Sequence, residues 1–492
     1  MSMSDSSVES SDLKWHIVQA LLVASALVTL MLGFVFLQGS SPVCCQARGG
    51  YRISKRVWAT LLLPNTVMHG CGGALIVAAP QYIVNSGIGN AGGAGIVASG
   101  FGLGLVSANV AAFQLGKFWS PWSMFVLSAA LGLAGVVSGA LLTEQGKPFA
   151  GLVSATFFVG FAQSMHVVAR TFYQAEVVKE QLAGRAETAE ATSMLKETGG
   201  TQEGQAFMSG WVSASNILGI AGAAFATAVV DCTSAKNLGF LCTTGILLYI
   251  FLIILLFAAG SPSNPKTEPT ILQDVGREKV PTEEGQEGEL HEGPVVFTSQ
   301  FWKVCFLIFS MAIVRESQKF LIPLIGAESG LHTNLVGHVA FMSQMESLVA
   351  APVGGFLMEC LGILPVVLVS LLVAASGIQL HCMQGVGFYV HGASLLGIGC
   401  GLCAGAAIAL SIVHAPECPS RKRSFMNGSR FFNSLADVFL PLIVGSSLAS
   451  LGIWFVGSSL ALCTLCSVAA ALLFFELADS TPQPDVRVPT MD

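Results

Sequence analysis

Charge is what this sequence has least of. Lysine, arginine, aspartate and glutamate make up 11% of its 492 residues, against roughly 25% in soluble domains. With 53% hydrophobic residues and a mean hydropathy of +0.70, the chain cannot clothe several soluble cores in hydrated surface. No G-x-x-x-x-G-K-[ST] run is present, so the phosphate cradle of an ATP-driven pump is not expected. Basic residues form no extended patch, and nucleic acid is not an expected partner. The 13 cysteines lie mostly inside apolar segments. Cys400 and Cys403 are spaced as CxxC, as are Cys463 and Cys466, yet no further ligand accompanies either pair. They read as small core residues, and neither a metal nor a cofactor is expected. Cys44 and Cys45 differ, because they lie between an apolar segment and a basic stretch, a setting that suits palmitoylation.

What the sequence has in abundance is long apolar runs. A helix rises about 1.5 Å per residue and the hydrocarbon core is about 30 Å thick, so a span needs about 20 mostly apolar residues. About thirteen segments qualify by this measure: 17–37, 57–83, 92–115, 121–143, 148–171, 206–229, 236–260, 297–322, 333–358, 362–383, 386–413, 427–450 and 453–476. Helix is the expected conformation, because backbone polar groups find no water there. The first segment has an acidic leader and a long apolar run, which suits a retained anchor rather than a cleaved signal.

Basic residues orient the segments. Arg48, Arg52, Lys55 and Arg56 follow the first one and place it with its C-terminal end in the cytosol. Alternating from there, Lys117, the group Lys179, Arg185 and Lys196, the group Lys266, Arg277 and Lys279, and the cluster Arg421-Lys422-Arg423 all fall inside. Lys147 and Lys236 fall outside. One sequon occurs, at Asn427-Gly-Ser429. Its cytosolic placement predicts that endoglycosidase leaves the mobility of the expressed protein unchanged, and a shift would refute this topology.

The expected organisation is residues 1–56 as tail, extra span and basic segment, and 57–260 as a first six-helix bundle. An acidic cytosolic linker follows over 261–296, then a second six-helix bundle over 297–476 and a cytosolic tail over 477–492. The linker carries Glu268, Asp274, Glu278, Glu283, Glu284, Glu287, Glu289 and Glu292 with several prolines, a composition of low hydrophobicity and high charge that predicts disorder. A shorter charged connection over 174–205 is expected to hold a surface helix.

The two halves carry related patterns. Gly160-Phe-Ala-Gln, leading to Gly184-Arg185, has its counterpart in Gly401-Leu-Cys-Ala, leading to Arg421-Lys-Arg. Phe207-Met-Ser-Gly210 matches Phe425-Met-Asn-Gly428. Gly355-Phe-Leu357-Met-Glu359-Cys-Leu-Gly362 looks like a G-x-L-x-D-x-x-G signature with Glu for Asp. Ala112-Phe-Gln-Leu-Gly116-Lys117 keeps the corresponding place in the first half without the acid. With these motifs the chain resembles the major facilitator superfamily over roughly residues 57–476. The resemblance implies an all-α integral membrane fold of two pseudo-symmetric six-helix bundles, here with one additional N-terminal transmembrane helix. It also implies alternating access about a central cavity. Gly355, Glu359, Gly362 and Lys117 would serve gating and packing. So would Arg430, Asn433 and Pro441, on a segment similar to the Arg-, Pro- and Gly-bearing eleventh helix of many members.

Ionisable groups within a span cost about 2.5 to 3.5 kcal/mol on insertion scales, so each is a functional candidate. Glu346 and Asp437 lie near the middle of their segments. Proton coupling through them and a structural pair, such as Asp437 with Arg430, are both open. In the resembled family, spans 1, 4, 7 and 10 line the cavity. Asn65 and His69 lie at i and i+4 on the first of these, and Gln163, His166, Arg170 and Tyr173 form a polar stripe on the next. Arg170 could pair with an anionic or amphipathic substrate. Arg315, Glu316 and Lys319, with His391, come close to the outer boundary, where an interfacial role competes with binding.

The function these features point to is secondary transport of a small solute by a monomer in the lipid bilayer, coupled to protons or another ion, and not an enzyme. Two other readings stay open: a transporter-like sensor or trafficking partner, and a membrane enzyme built on an intramembrane histidine such as His391.

Overall fold

A computed structural model describes residues 61–115, 120–186, 205–230, 235–259, 298–416 and 419–479. The extra N-terminal span, Cys44 and Cys45, Lys117, the acidic linker and the C-terminal tail beyond Asp479 lie outside them. The described residues form twelve helical units. They are α1 (Leu63–Asn85), α2 (Ala91–Leu115), α3 (Pro121–Glu144), α4 (Pro148–Ala186), α5 (Gln205–Val229) and α6 (Ala235–Ala259), followed by α7, α8 (Thr333–Leu361), α9 (Ile363–His381), α10, α11 (Pro419–Leu451) and α12 (Ile453–Asp479). Two units are interrupted. Unit α7 runs from Ser299–Glu316 through a π-helical turn, Ser317–Leu321, into Ile322–Glu328, and α10 comprises Val386–Leu402 and Ala406–Val413.

Local chemistry sets the ends. Ser120 accepts from the Ser123 amide at 3.1 Å and Thr298 from the Phe301 amide at 3.3 Å, capping α3 and α7, and Pro121 occupies a first-turn position where no amide is needed. Gly362, the last glycine of the signature-like motif, has φ +89 and turns the chain from α8 into α9. A side chain there would be strained. Several helices outrun the apolar segments read from sequence: α4 continues to Ala186, α7 to Glu328, α8 to Leu361 and α12 to Asp479, and α11 begins at Pro419. Hydropathy marks where lipid is, whereas a helix can continue into water on its own backbone bonds. The expected separate surface helix over 174–205 is therefore, up to Ala186, an extension of α4.

Nine helices among the described residues are long and apolar enough to cross a membrane, and α6 adds the shorter apolar stretch Leu241–Phe257. Burial separates inner from outer helices. In α1, 76% of the apolar window is buried, against 33% in α12. Trp454, Leu462 and Leu473 of α12 and Phe257 of α6 present their side chains outward, as lipid-facing residues do.

Helices α1–α6 pack on one another chiefly through α3 with α4, α2 with α4, α1 with α5 and α6 with α1. Helices α7–α12 do so through α9 with α10, α8 with α10, α7 with α11 and α9 with α12. Two long pairs join these sets, α2 with α11 and α5 with α8. Small residues make the approach close. A methyl group on Gly210 of α5 would stand 3.0 Å from the Ala351 carbonyl oxygen and 3.4 Å from the Gly355 Cα on α8. Gly355, the first glycine of the signature-like motif, thus lies against α5.

Candidate functional site

Where the two sets face each other they leave a cavity of about 190 Å³. Its walls come from α1, α2, α4 and α5 on one side and α7, α8, α10 and α11 on the other. Arg170, Arg315, Lys319, Arg430 and Asp437 bring charge to it, and Phe101, Leu105, Ile217, Ile220 and Ile308 bring apolar surface.

The π-helical turn of α7 organises one charged group. An extra residue in a helical turn shifts the register of the residues after it, and such turns cluster at functional sites. Glu316 immediately precedes the turn, and Gln318 and Lys319 lie in it. The Glu316 carboxylate accepts from Arg315 Nε at 3.2 Å and from Lys319 Nζ. Arg315 reaches across to α11, with Nη2 at 3.4 Å from Asp437 Oδ2 and Nη1 donating to Asn433 Oδ1 at 3.2 Å. Two cations and two carboxylates therefore compensate one another in a setting where Glu316 and Asp437 are almost fully buried. The spacing along α7 suggests an outer-boundary position for Arg315, Glu316 and Lys319. The structure instead seats Arg315 and Lys319 on the cavity wall with Glu316 beneath them, because α7 meets α11 at this level.

A second group centres on Arg170 of α4. Its Nη1 donates to Asn65 Oδ1 at 2.7 Å and to Asn216 Oδ1 at 2.8 Å. Asn65 Nδ2 in turn donates to Ser215 Oγ at 2.6 Å. Arg430 of α11 donates to Thr171 Oγ1, next to Arg170 in α4. Arg430 is thus directed at the opposite helix set, and the alternative of an intrahelical pair with Asp437 is not realised. A polar relay also crosses between sets: Ser164 Oγ donates to Asn109 Oδ1 at 2.8 Å and Asn109 Nδ2 to Ser434 Oγ at 2.8 Å.

Other sequence candidates divide. His69 and Gln163 line the cavity, and Gln163 Nε2 donates to the Met68 carbonyl at 3.4 Å. His166 is buried with its ring centroid 4.8 Å from that of Phe125, turned toward α3 and away from the cavity lining. The polar stripe is therefore shared between two surfaces. A modest rotation about the helix axis separates His166 from Gln163 and Arg170, enough to move it into core packing. Glu346 is buried between α8 and α10, where Oε1 accepts from Ser394 Oγ at 2.6 Å, and it does not line the cavity. His391 is exposed, its Nδ1 2.7 Å from the Gly387 carbonyl oxygen, and is likewise not a lining residue. Pro441 lies in α11 with its carbonyl packed on Gly95 of α2. The side chains of Tyr173 and Glu359 lie outside the described set.

Several site residues come from helices that the sequence does not assign to the cavity: Asn109 of α2, Asn216 of α5, Gln344 of α8 and Ser434 of α11. Gln318 of α7 is another polar residue that sequence reasoning misses, donating to Ser343 Oγ at 3.0 Å and Ser347 Oγ at 2.8 Å. For all but Ser434, a neutral amide inside an apolar span is the signal that could have found them, since it too needs a partner away from lipid.

No protein-family model matches the sequence, and no curated protein matches it. Solved structures do resemble it. A nucleoside transporter, NupG, superposes with a TM-score of 0.57 at 13% identity over 84% of this chain and 98% of its own. The human organic anion transporter MFSD10 gives 0.57 at 12% over 85% and 100%, and a bacterial homologue of the iron transporter ferroportin gives 0.57 at 12% over 87% and 100%. The chain thus shares the fold of these solved transporters and, with nine described helices long and apolar enough to cross a bilayer, is an integral, multi-pass membrane protein.

Proposed function

We propose that the protein is a secondary transporter that moves a small solute by alternating access between two six-helix bundles, α1–α6 and α7–α12. The observation that carries this reading is the cavity itself. Both helix sets wall it, and the bonds of Arg430 to Thr171 and of Asn109 to Ser434 join helices that a rocking motion would separate. The fold is shared with proteins named for nucleosides, organic anions and iron, all of them small solutes. Helix α1 packs on the last segment of α7, Ile322–Glu328, at the end that the basic-loop topology assigns to the outside. This contact suits a state closed outward.

Of the two carboxylates considered for proton coupling, Asp437 is the better placed. It lines the cavity and holds Arg315, so a proton on Asp437 would release that arginine. Glu346 meets Ser394 between α8 and α10, which suits a structural role. In proteoliposomes, Asp437→Asn is expected to exchange substrate but to ignore an imposed pH gradient, while Glu346→Gln still responds to it. Gradient-driven flux that survives in Asp437→Asn would remove Asp437 from coupling. Absence of any flux across a broad solute panel in the wild type would remove the transport reading.

A further inference from the structure

We propose that Arg170 and Arg430 together bind the anionic head of a small organic anion, which bridges the two helix sets from within the cavity. Calling that anion the substrate rests on the transport reading above; the binding site stands on its own geometry.

Among the described residues, positive charge on this part of the wall is unmatched. Four cations face the cavity, and the acids near it, Glu316 and Asp437, are both engaged with Arg315 and Lys319. Among the described residues neither Arg170 nor Arg430 has a carboxylate within salt-bridge distance. Arg170 is only 2% exposed, yet it has just the amide oxygens of Asn65 and Asn216 for partners, and its Nε is buried without any. Arg430 has the hydroxyl of Thr171, one residue from Arg170, and both arginines line the same cavity. Like charges in a medium of low dielectric are costly to hold together. An anion between them would convert that repulsion into two charge-assisted contacts. The planar fork of guanidinium also suits the oxygens of a carboxylate, phosphate or sulfonate.

The rest of the cavity narrows the class. Phe101, Leu105, Ile217 and Ile220 line it from α2 and α5, surface that an inorganic ion would leave unfilled. An anionic head with an apolar body satisfies both regions. Because Arg170 belongs to α4 and Arg430 to α11, the head would tie one helix set to the other, and binding would favour their approach at this level.

The test uses purified full-length protein, with benzoate, phenyl phosphate and benzenesulfonate as anionic probes, benzamide as the neutral counterpart and inorganic phosphate as the head alone. Thermal-shift titration is expected to show stabilisation by at least one organic anion and none by benzamide. Arg430→Gln is expected to weaken that anion by about 10- to 100-fold, the worth of a lost hydrogen bond to a charged group, with Arg430→Lys intermediate. Arg430 is the better variant to rely on, since it is only half-buried and its removal is less disruptive than that of Arg170. Equal stabilisation by benzamide and the anions, inorganic phosphate as the tightest probe, or Arg430→Gln binding as well as wild type would each overturn the proposal. So would the absence of stabilisation by every anion. Counterflow in proteoliposomes separates the two claims. Arginine-dependent binding without movement of any solute leaves the site standing and removes the transport reading, and movement of neutral solutes alone does the reverse.

Discussion

A Glu316→Gln variant is expected to lose about 3 to 5 kcal/mol of stability, the usual cost of removing one partner from a buried charge pair. Glutamine keeps the shape of the side chain, deletes the charge and turns one acceptor oxygen into a donor. What remains is Lys319, whose side chain is 12% exposed and which would have no carboxylate partner among the described residues. Arg315 would retain Asp437 alone, at 3.4 Å. The cost should appear as a lower Tm for the detergent-purified protein. A second substitution distinguishes lost charge balance from lost packing: Lys319→Met added to Glu316→Gln removes the orphaned cation and should recover most of the loss. A single variant that melts with the wild type, or a double variant that melts as low as the single, would show that the four groups do not compensate one another as the geometry indicates.

A Gly102→Val variant is expected to be destabilised for a different reason. Gly102 lies in α2 against α11, and a Cβ there would overlap the backbone of Asp437 and Val438. Backbone cannot rotate out of the way as a side chain can, so the two helices must separate. Overpacking of this kind typically costs about 1 to 3 kcal/mol, occasionally more. Separation would also break the Ser99 Oγ bond to the Val438 carbonyl, 2.9 Å long. Gly222→Val is the matched control, because nothing lies within 4 Å of a Cβ at that position. The expected outcome is an aggregated or low-melting Gly102→Val protein beside a monodisperse Gly222→Val protein. Equal behaviour of the two would mean that the α2–α11 contact is less close than described.

These two sites differ in how legible they are in the sequence. Glu316 is conspicuous, since a charged residue within an apolar segment stands out in any sequence. Its partners do not follow from that. Spacing along α7 suggests an outer-boundary position, and only the contact with α11 shows that Arg315 reaches Asp437. Gly102 is silent, being one of 54 glycines, and its importance lies wholly in which backbone passes beside it. The pairing of Arg430 illustrates the same point, because its sequence neighbour at a helical interval is Asp437 and its actual partner, Thr171, belongs to α4.

The sequence alone determined that the chain lives in a bilayer, where most of its helices lie, which loops carry basic charge and which short motifs repeat. Each of these is a sum over neighbouring residues: apolar length against membrane thickness, or local charge against the positive-inside bias. The tertiary structure decided the rest. It set His166 into the core and Gln163 on the cavity, put Glu346 behind the wall and Asp437 on it, and left Arg170 and Arg430 close together without an acid. Such outcomes depend on the rotation of each helix about its axis and on which remote helix packs beside it. About 100° of rotation per residue turns a side chain from lipid to cavity without changing hydropathy at all.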